Sequence, residues 1–177
     1  EAGRSFAALA DRPEVIAAAA EDARAFVPYP QTKLYTWRMG RALPATLHAE
    51  FIAPLGAFSL RGVLWYQGES NASRMEDATA YAEQLPLLVQ SWRDQLEQPT
   101  LHVIVVQLPH YEQPDAEGGT RPWIQLRESQ QQAVKTLADT TLVDAYDLGD
   151  PSNVHPRRKA ELGQRLATAA LRHVYQP

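Results

Sequence analysis

From about Arg61 to the C-terminus, short apolar or β-branched runs alternate with stretches whose apolar residues recur at helical spacing. No other feature of the chain constrains its fold as much. Val63-Leu64-Trp65-Tyr66, entered through Gly62 and left through Gly68, is an unbroken apolar run of strand length. Such a run predicts a strand buried on both faces and central in its sheet. From Asp77 to Leu96, Tyr81, Leu85, Leu88, Val89 and Trp92 follow helical spacing, and Pro86 is expected to kink this helix or to begin a second one. Leu101 to Leu108 predicts a second strand, closed by Pro109 and followed by a polar Gly/Pro loop to Arg121 that is long enough to be functional. Pro122 suits a first helical turn, after which Trp123, Leu126, Gln130, Ala133, Val134 and Leu137 form an inward stripe. Thr140 to Ala145 predicts a third strand, and Pro156 a last helix with Leu162, Leu166, Ala169, Ala170 and Val174 inward. Strand and helix thus alternate three times over, which predicts an α/β fold with right-handed crossovers and a parallel sheet. Such sheets carry their sites at the C-terminal ends of the strands.

At 177 residues and 45% apolar content, the chain can bury one substantial core. A net charge of −4, with no basic run longer than Arg157-Arg158-Lys159, excludes a phosphate-binding field and hence nucleic acid as a partner. There is no cysteine, so disulfides, thiolate catalysis and Cys-based zinc sites are ruled out. No apolar run approaches the ~20 residues of a membrane span, and the opening Glu1-Ala2-Gly3-Arg4 has neither an initiator Met nor a signal pattern. The chain is expected to be cut from something longer. Residues 1–34 read as a helix and connector, the helix running from Pro13 to Phe26, and residues 35–177 as the body of the domain.

Two polar loops follow predicted strand C-termini: Gln67-Gly68-Glu69-Ser70-Asn71, and Asp147 to Pro156 with His155. Both are expected at one end of the sheet, where they would form the site. His155, beside a helix N-terminus and preceded by Asp147, Asp150, Ser152 and Asn153, has surroundings that can orient an imidazole as a general base. The alternative is a loop histidine that only caps the next helix. His48, His102, His110 and His173 read as structural, and no histidine pair has metal-ligand spacing on one helix face. Gly68-Glu69-Ser70-Asn71-Ala72 is similar to a nucleophile elbow without its final Gly. The order Ser70, Asp144 or Asp147, His155 would suit a self-contained hydrolase.

Several longer words are more specific. Ile52-Ala53-Pro54-Leu55 is followed by Arg61-Gly62-Val63-Leu64-Trp65-Tyr66-Gln67-Gly68-Glu69-Ser70-Asn71-Ala72 and by Val106-Gln107-Leu108-Pro109. Then come Leu126-Arg127-Glu128-Ser129-Gln130, Asp147-Leu148-Gly149-Asp150, Val154-His155-Pro156 and Lys159. In order and spacing these words, from about Leu34 onward, resemble the sialate O-acetylesterase group of SGNH hydrolases. The resemblance implies a three-layer, flavodoxin-like α/β sandwich and removal of O-acetyl groups from sialic acid or other acetylated sugars. No cofactor or metal would be needed. His155 would be the base and Gln67 the side-chain oxyanion donor, with Gly68 close to the substrate and Glu69 and Asn71 supporting the loop.

The family's serine block, G-Q-S-N-M, and its second oxyanion block do not occur in this chain. The resemblance therefore implies that the nucleophile comes from an N-terminal segment, present upstream or as a second chain after processing. It points to a periplasmic or secreted protein, although composition also fits the cytoplasm. The chain departs from the family in two places. The Asp expected just before the base is absent, Ser152 and Asn153 standing there instead, so Asn153, Asp147, Asp150 or a backbone carbonyl must orient the ring. His48-Ala49-Glu50-Phe51 also replaces the usual Y-N-G-M. A catalytically inactive, carbohydrate-binding remnant of the fold is the competing expectation.

Overall fold

The computed structural model describes residues 48–112 and 119–175. The expected Pro13–Phe26 helix, the boundary between residues 34 and 35, and the middle of the loop before Arg121 lie outside the described residues. The chain divides into two compact units, residues 1–58 with 90–97 and residues 59–89 with 98–177. In the first, His48–Ile52 forms a π-helical turn and Ala53–Leu55 a short 3-10 turn, with Phe51 and Leu55 exposed. The second contains the sheet and the site. Among the described residues no helix is long and apolar enough to cross a membrane.

Three strands form the sheet among the described residues: β1 (Val63–Trp65), β2 (Val103–Gln107) and β3 (Thr140–Asp144), in that spatial order and all parallel. Val63 pairs with Val103, and the β2–β3 ladder runs from Val103 with Thr140 to Gln107 with Asp144. Helix α1 (Met75–Gln95) connects β1 to β2, α2 (Arg121–Thr136) connects β2 to β3, and α3 (Lys159–Ala170) follows β3.

The period of two in β2 sets the layers. Val103 and Val105 pack with Ala78, Tyr81, Leu85 and Val89 of α1 and with Trp123, Leu126 and Ala133 of α2. Ile104 and Val106 point to the other face, against Val143, Leu162, Leu166, Ala169, Ala170 and Val174. Two crossovers of the same hand that step in the same direction must leave both helices on one face, and α1 and α2 share a face. With α3 on the other, the result is the expected three-layer α/β arrangement around a parallel sheet. The residues expected to line the inner face of the last helix all do so.

Two expectations need correction, and one choice left open is decided. β2 is the central strand, every residue of it buried; β1 has one partner among the described residues and exposes 57% of Leu64. An unbroken apolar run shows that a strand can be covered on both faces, not where it stands in the order. Of the two alternatives at Pro86, no second helix begins there: the residue lies inside α1, which continues to Gln95. The lost Pro N–H costs one helical hydrogen bond. Packing of Leu85 and Val89 on either side of it outweighs that loss. The last helix starts at Lys159 rather than Pro156, because Arg158 is non-helical (ψ 53°) and Lys159 N–H closes a tight turn onto the Arg157 carbonyl at 2.8 Å.

Candidate active site

All three strands are parallel, so the loops after β1 and after β3 leave the same end of the sheet. Side chains also link the two loops. The Lys159 ammonium lies 4.7 Å from the centre of the Tyr66 ring, next to Gln67, and Val154 packs on the core that contains Ala72 and borders Tyr66. Gln67 and His155, nominated separately from sequence, therefore belong to one edge.

The β1 loop is built inward. Gly68 has φ +151°, a backbone conformation that disfavours any side chain, and a Cβ there would lie 2.6 Å from the Leu126 Cδ2. The glycine thus admits α2 to the loop. Gln67 Nε2 donates to Asn71 Oδ1 at 3.0 Å, and its Oε1 accepts the Tyr81 hydroxyl at 3.1 Å. The carboxylate of Glu69 accepts the Gly68 N–H at 2.9 Å, so it braces its own loop. Ser70 is exposed with ordinary helical angles (φ −67°, ψ −35°) and leads into the 3-10 turn Asn71–Ser73. It lacks the strained geometry of a nucleophile elbow. Burial, reinforced by the charge of Glu69, raises the pKa of Tyr66; burial likewise raises that of Tyr81, against the hydrogen bonds to it. Both remain neutral phenols at physiological pH.

The β3 loop is held by local turns and ion pairs. Asp150 accepts both the N–H (2.9 Å) and the hydroxyl (2.7 Å) of Ser152, and Asn153 Oδ1 accepts the backbone N–H of His155 at 2.9 Å. Asp147 forms a bidentate pair with Arg165 at 2.7 and 2.6 Å. Hydrogen bonds from Arg165 lower its pKa, and those from Ser152 lower that of Asp150. Gly149 lets this loop press on the loop that follows β2, since a Cβ would meet the His110 backbone. His155 itself is exposed, and no described residue hydrogen-bonds its ring. The polar groups expected to orient that ring are engaged with Arg165, Ser152 and the backbone instead.

A model of the family described as carbohydrate esterase, sialic acid-specific acetylesterase matches residues 15–172 of this chain. The chain belongs to that family. Among solved structures it is similar to a carbohydrate acetylesterase from Xanthomonas citri, with 37% identity and a TM-score of 0.70, covering 76% of this chain and 31% of that one. It is 34% identical over 115 residues to a probable carbohydrate esterase of Arabidopsis thaliana, across 63% of this chain and 40% of the plant protein. A 54-residue stretch is 43% identical to the sialate O-acetylesterase of Rattus norvegicus, 30% of this chain and 10% of the rat protein. The chain therefore spans less than two thirds of the length of each of these relatives.

Family membership leaves one part of the site's construction to the coordinates. Trp65, Tyr81 and Gln130 surround Gln67, and sequence reading gave none of them a role there. A signal was present: Gln130 sits on the inward stripe of α2, where a polar side chain must find buried partners. It is fully buried. The conspicuous Leu126-Arg127-Glu128-Ser129-Gln130 word likewise gains a structural meaning. Leu126 and Gln130 touch the Gly68 position from one helix face, while Arg127 pairs with Asp144 at the end of β3 (3.2 Å) and lies over the Tyr146 ring.

Proposed function

We propose that this chain carries the base and the side-chain oxyanion donor of a serine O-acetylesterase acting on acetylated sugars, sialic acid among them. The observation that supports it best is the state of the Gln67 carboxamide. Its oxygen is occupied by Tyr81 and one of its N–H groups by Asn71, which leaves the second N–H without an acceptor among the described residues. That donor stands at the sheet end that also holds His155.

In this reading the serine comes from polypeptide outside these 177 residues. Its hydroxyl attacks the acetyl carbonyl carbon as His155 takes the proton, and the carbonyl oxygen becomes an oxyanion that accepts the Gln67 N–H. Collapse of the tetrahedral adduct breaks the ester C–O bond, and the imidazolium returns its proton to the departing sugar hydroxyl. Water, deprotonated by the same histidine, then releases acetate from the acyl-serine. The side chains nearest in sequence are engaged elsewhere, so the site works as a Ser-His dyad.

The test uses O-acetylated sialic acid and acetylated polysaccharide with this chain alone and with the serine-bearing polypeptide present. Turnover should require that polypeptide. His155→Ala should abolish it, and Gln67→Ala should lower kcat roughly 10²–10³-fold, as loss of one oxyanion donor does. Unchanged turnover in His155→Ala would end the assignment. Activity of the chain alone that vanishes in Ser70→Ala would replace it with a self-contained site.

A further inference from the structure

Donors that have no choice of role dictate the direction of every hydrogen bond around Gln67. The indole N–H of Trp65 can only donate, and it donates to the Tyr81 hydroxyl oxygen at 3.0 Å. The phenolic proton must then point the other way, where the Gln67 Oε1 lies at 3.1 Å and the Gln67 backbone carbonyl at 3.2 Å. With Oε1 turned towards Tyr81, Nε2 faces the opposite side and meets Asn71 Oδ1. Asn71 in turn passes its own donor to Gln84 Oε1 at 3.3 Å. The chain from Trp65 to Gln84 runs in one direction, and each bond polarises the next.

A second anchor comes from α2. The Leu108 N–H can only donate, so it claims Gln130 Oε1 at 2.9 Å. Gln130 Nε2 is left to donate to the carbonyls of Gln67 at 3.2 Å and Val106 at 3.3 Å. Tyr81 is 4% exposed and Gln130 0%, so water cannot take the place of a lost partner.

We infer that Tyr81 and Gln130 are positioning residues that lock the Gln67 carboxamide with one N–H turned outward, Tyr81 through the amide oxygen and Gln130 through the backbone carbonyl. This rests on the reading of Gln67 as the oxyanion donor. A donor held in advance costs no reorganisation when charge develops, whereas an amide free to flip presents its oxygen to the oxyanion half the time.

The decisive experiment is a double-mutant cycle on the active enzyme, the chain with its serine-bearing polypeptide, using para-nitrophenyl acetate. Tyr81→Phe and Gln130→Met should each lower kcat about tenfold with KM unchanged, and neither should lower it further in a Gln67→Ala background. Equal losses in both backgrounds would overturn the inference and leave the two residues as supports of the fold. If Gln67→Ala itself leaves kcat unchanged, the oxyanion reading fails, and a second measurement decides the positioning separately. In the 15N-labelled chain the two Gln67 side-chain amide protons, identified by their absence in Gln67→Ala, should lie well away from the shifts of free glutamine and move towards them in Tyr81→Phe. Free-glutamine shifts in the wild type, or displaced ones that survive both substitutions, would show that Tyr81 and Gln130 do not set the amide.

Discussion

The loops after β1 and β3 stand at the same end of one parallel sheet yet are held by different means. The Gln67 loop is anchored by buried side chains from α1 and α2, Tyr81 and Gln130, and by a glycine pressed against Leu126. The His155 loop is shaped by side chains acting within two residues of themselves, as in Asp150 to Ser152 and Asn153 to His155, and by the exposed Asp147–Arg165 pair. The donor half of the proposed site thus draws its rigidity from the core. The base half draws its own from the surface, and its imidazole has no partner among the described residues. A donor must be aimed before charge develops, which favours burial; a base must meet the incoming substrate and water, which favours an open position.

That contrast can be broken most forcefully at Gly68. Gly68→Ala combines a disfavoured φ with a Cβ 2.6 Å from Leu126, and should destabilise the chain by about 2–4 kcal/mol in urea titration. A loss below about 0.5 kcal/mol would show that the β1 loop is not locked by α2. On the other side of the comparison, Asn153→Ala removes only the turn onto His155 N–H. Its expected cost is about 1 kcal/mol, while Asn153→Asp, which keeps the acceptor, should leave stability unchanged. If Asn153→Asp instead raises kcat in the active enzyme, Asn153 faces the imidazole during turnover and the β3 loop rearranges to bind substrate.

Proton linkage sharpens the same distinction. Burial raises the folded pKa of Tyr81 above its ordinary 10.0, so its contribution is complete below that value and is lost as pH climbs through the raised one. Tyr81→Phe should therefore flatten the alkaline limb of the stability–pH curve, as read by thermal melts. Asp147 has the opposite sign. Arg165 lowers its folded pKa below the ordinary 3.8, so its contribution is present above that value and disappears as pH falls through the lowered one. Asp147→Asn should flatten the acid limb, and because both partners are exposed this should be the smallest effect of all. Addition of salt should diminish the acid effect and leave the alkaline one in place. An alkaline effect that also fades with salt would place Tyr81 in contact with solvent.

Much of this was legible in the chain itself. The strand–helix alternation, the parallel order, the inward faces of α2 and α3 and the location of both polar loops at strand C-termini follow from spacings of two to four residues. Local backbone geometry alone determines which side chains share a face. The specific words around Trp65-Tyr66-Gln67-Gly68 and Val154-His155-Pro156 also carried the family. Tertiary structure decided the rest: that among the described residues β2 and not β1 is central, that α1 continues through Pro86, and that Gly68 is a packing position for Leu126. It also placed Tyr81 and Gln130, which lie 14 and 63 residues from Gln67 along the chain, on that one side chain and its carbonyl. No sequence period reports on such pairs. A buried hydrogen bond forms only when the fold brings donor and acceptor within about 3 Å and removes the water that would otherwise serve either one.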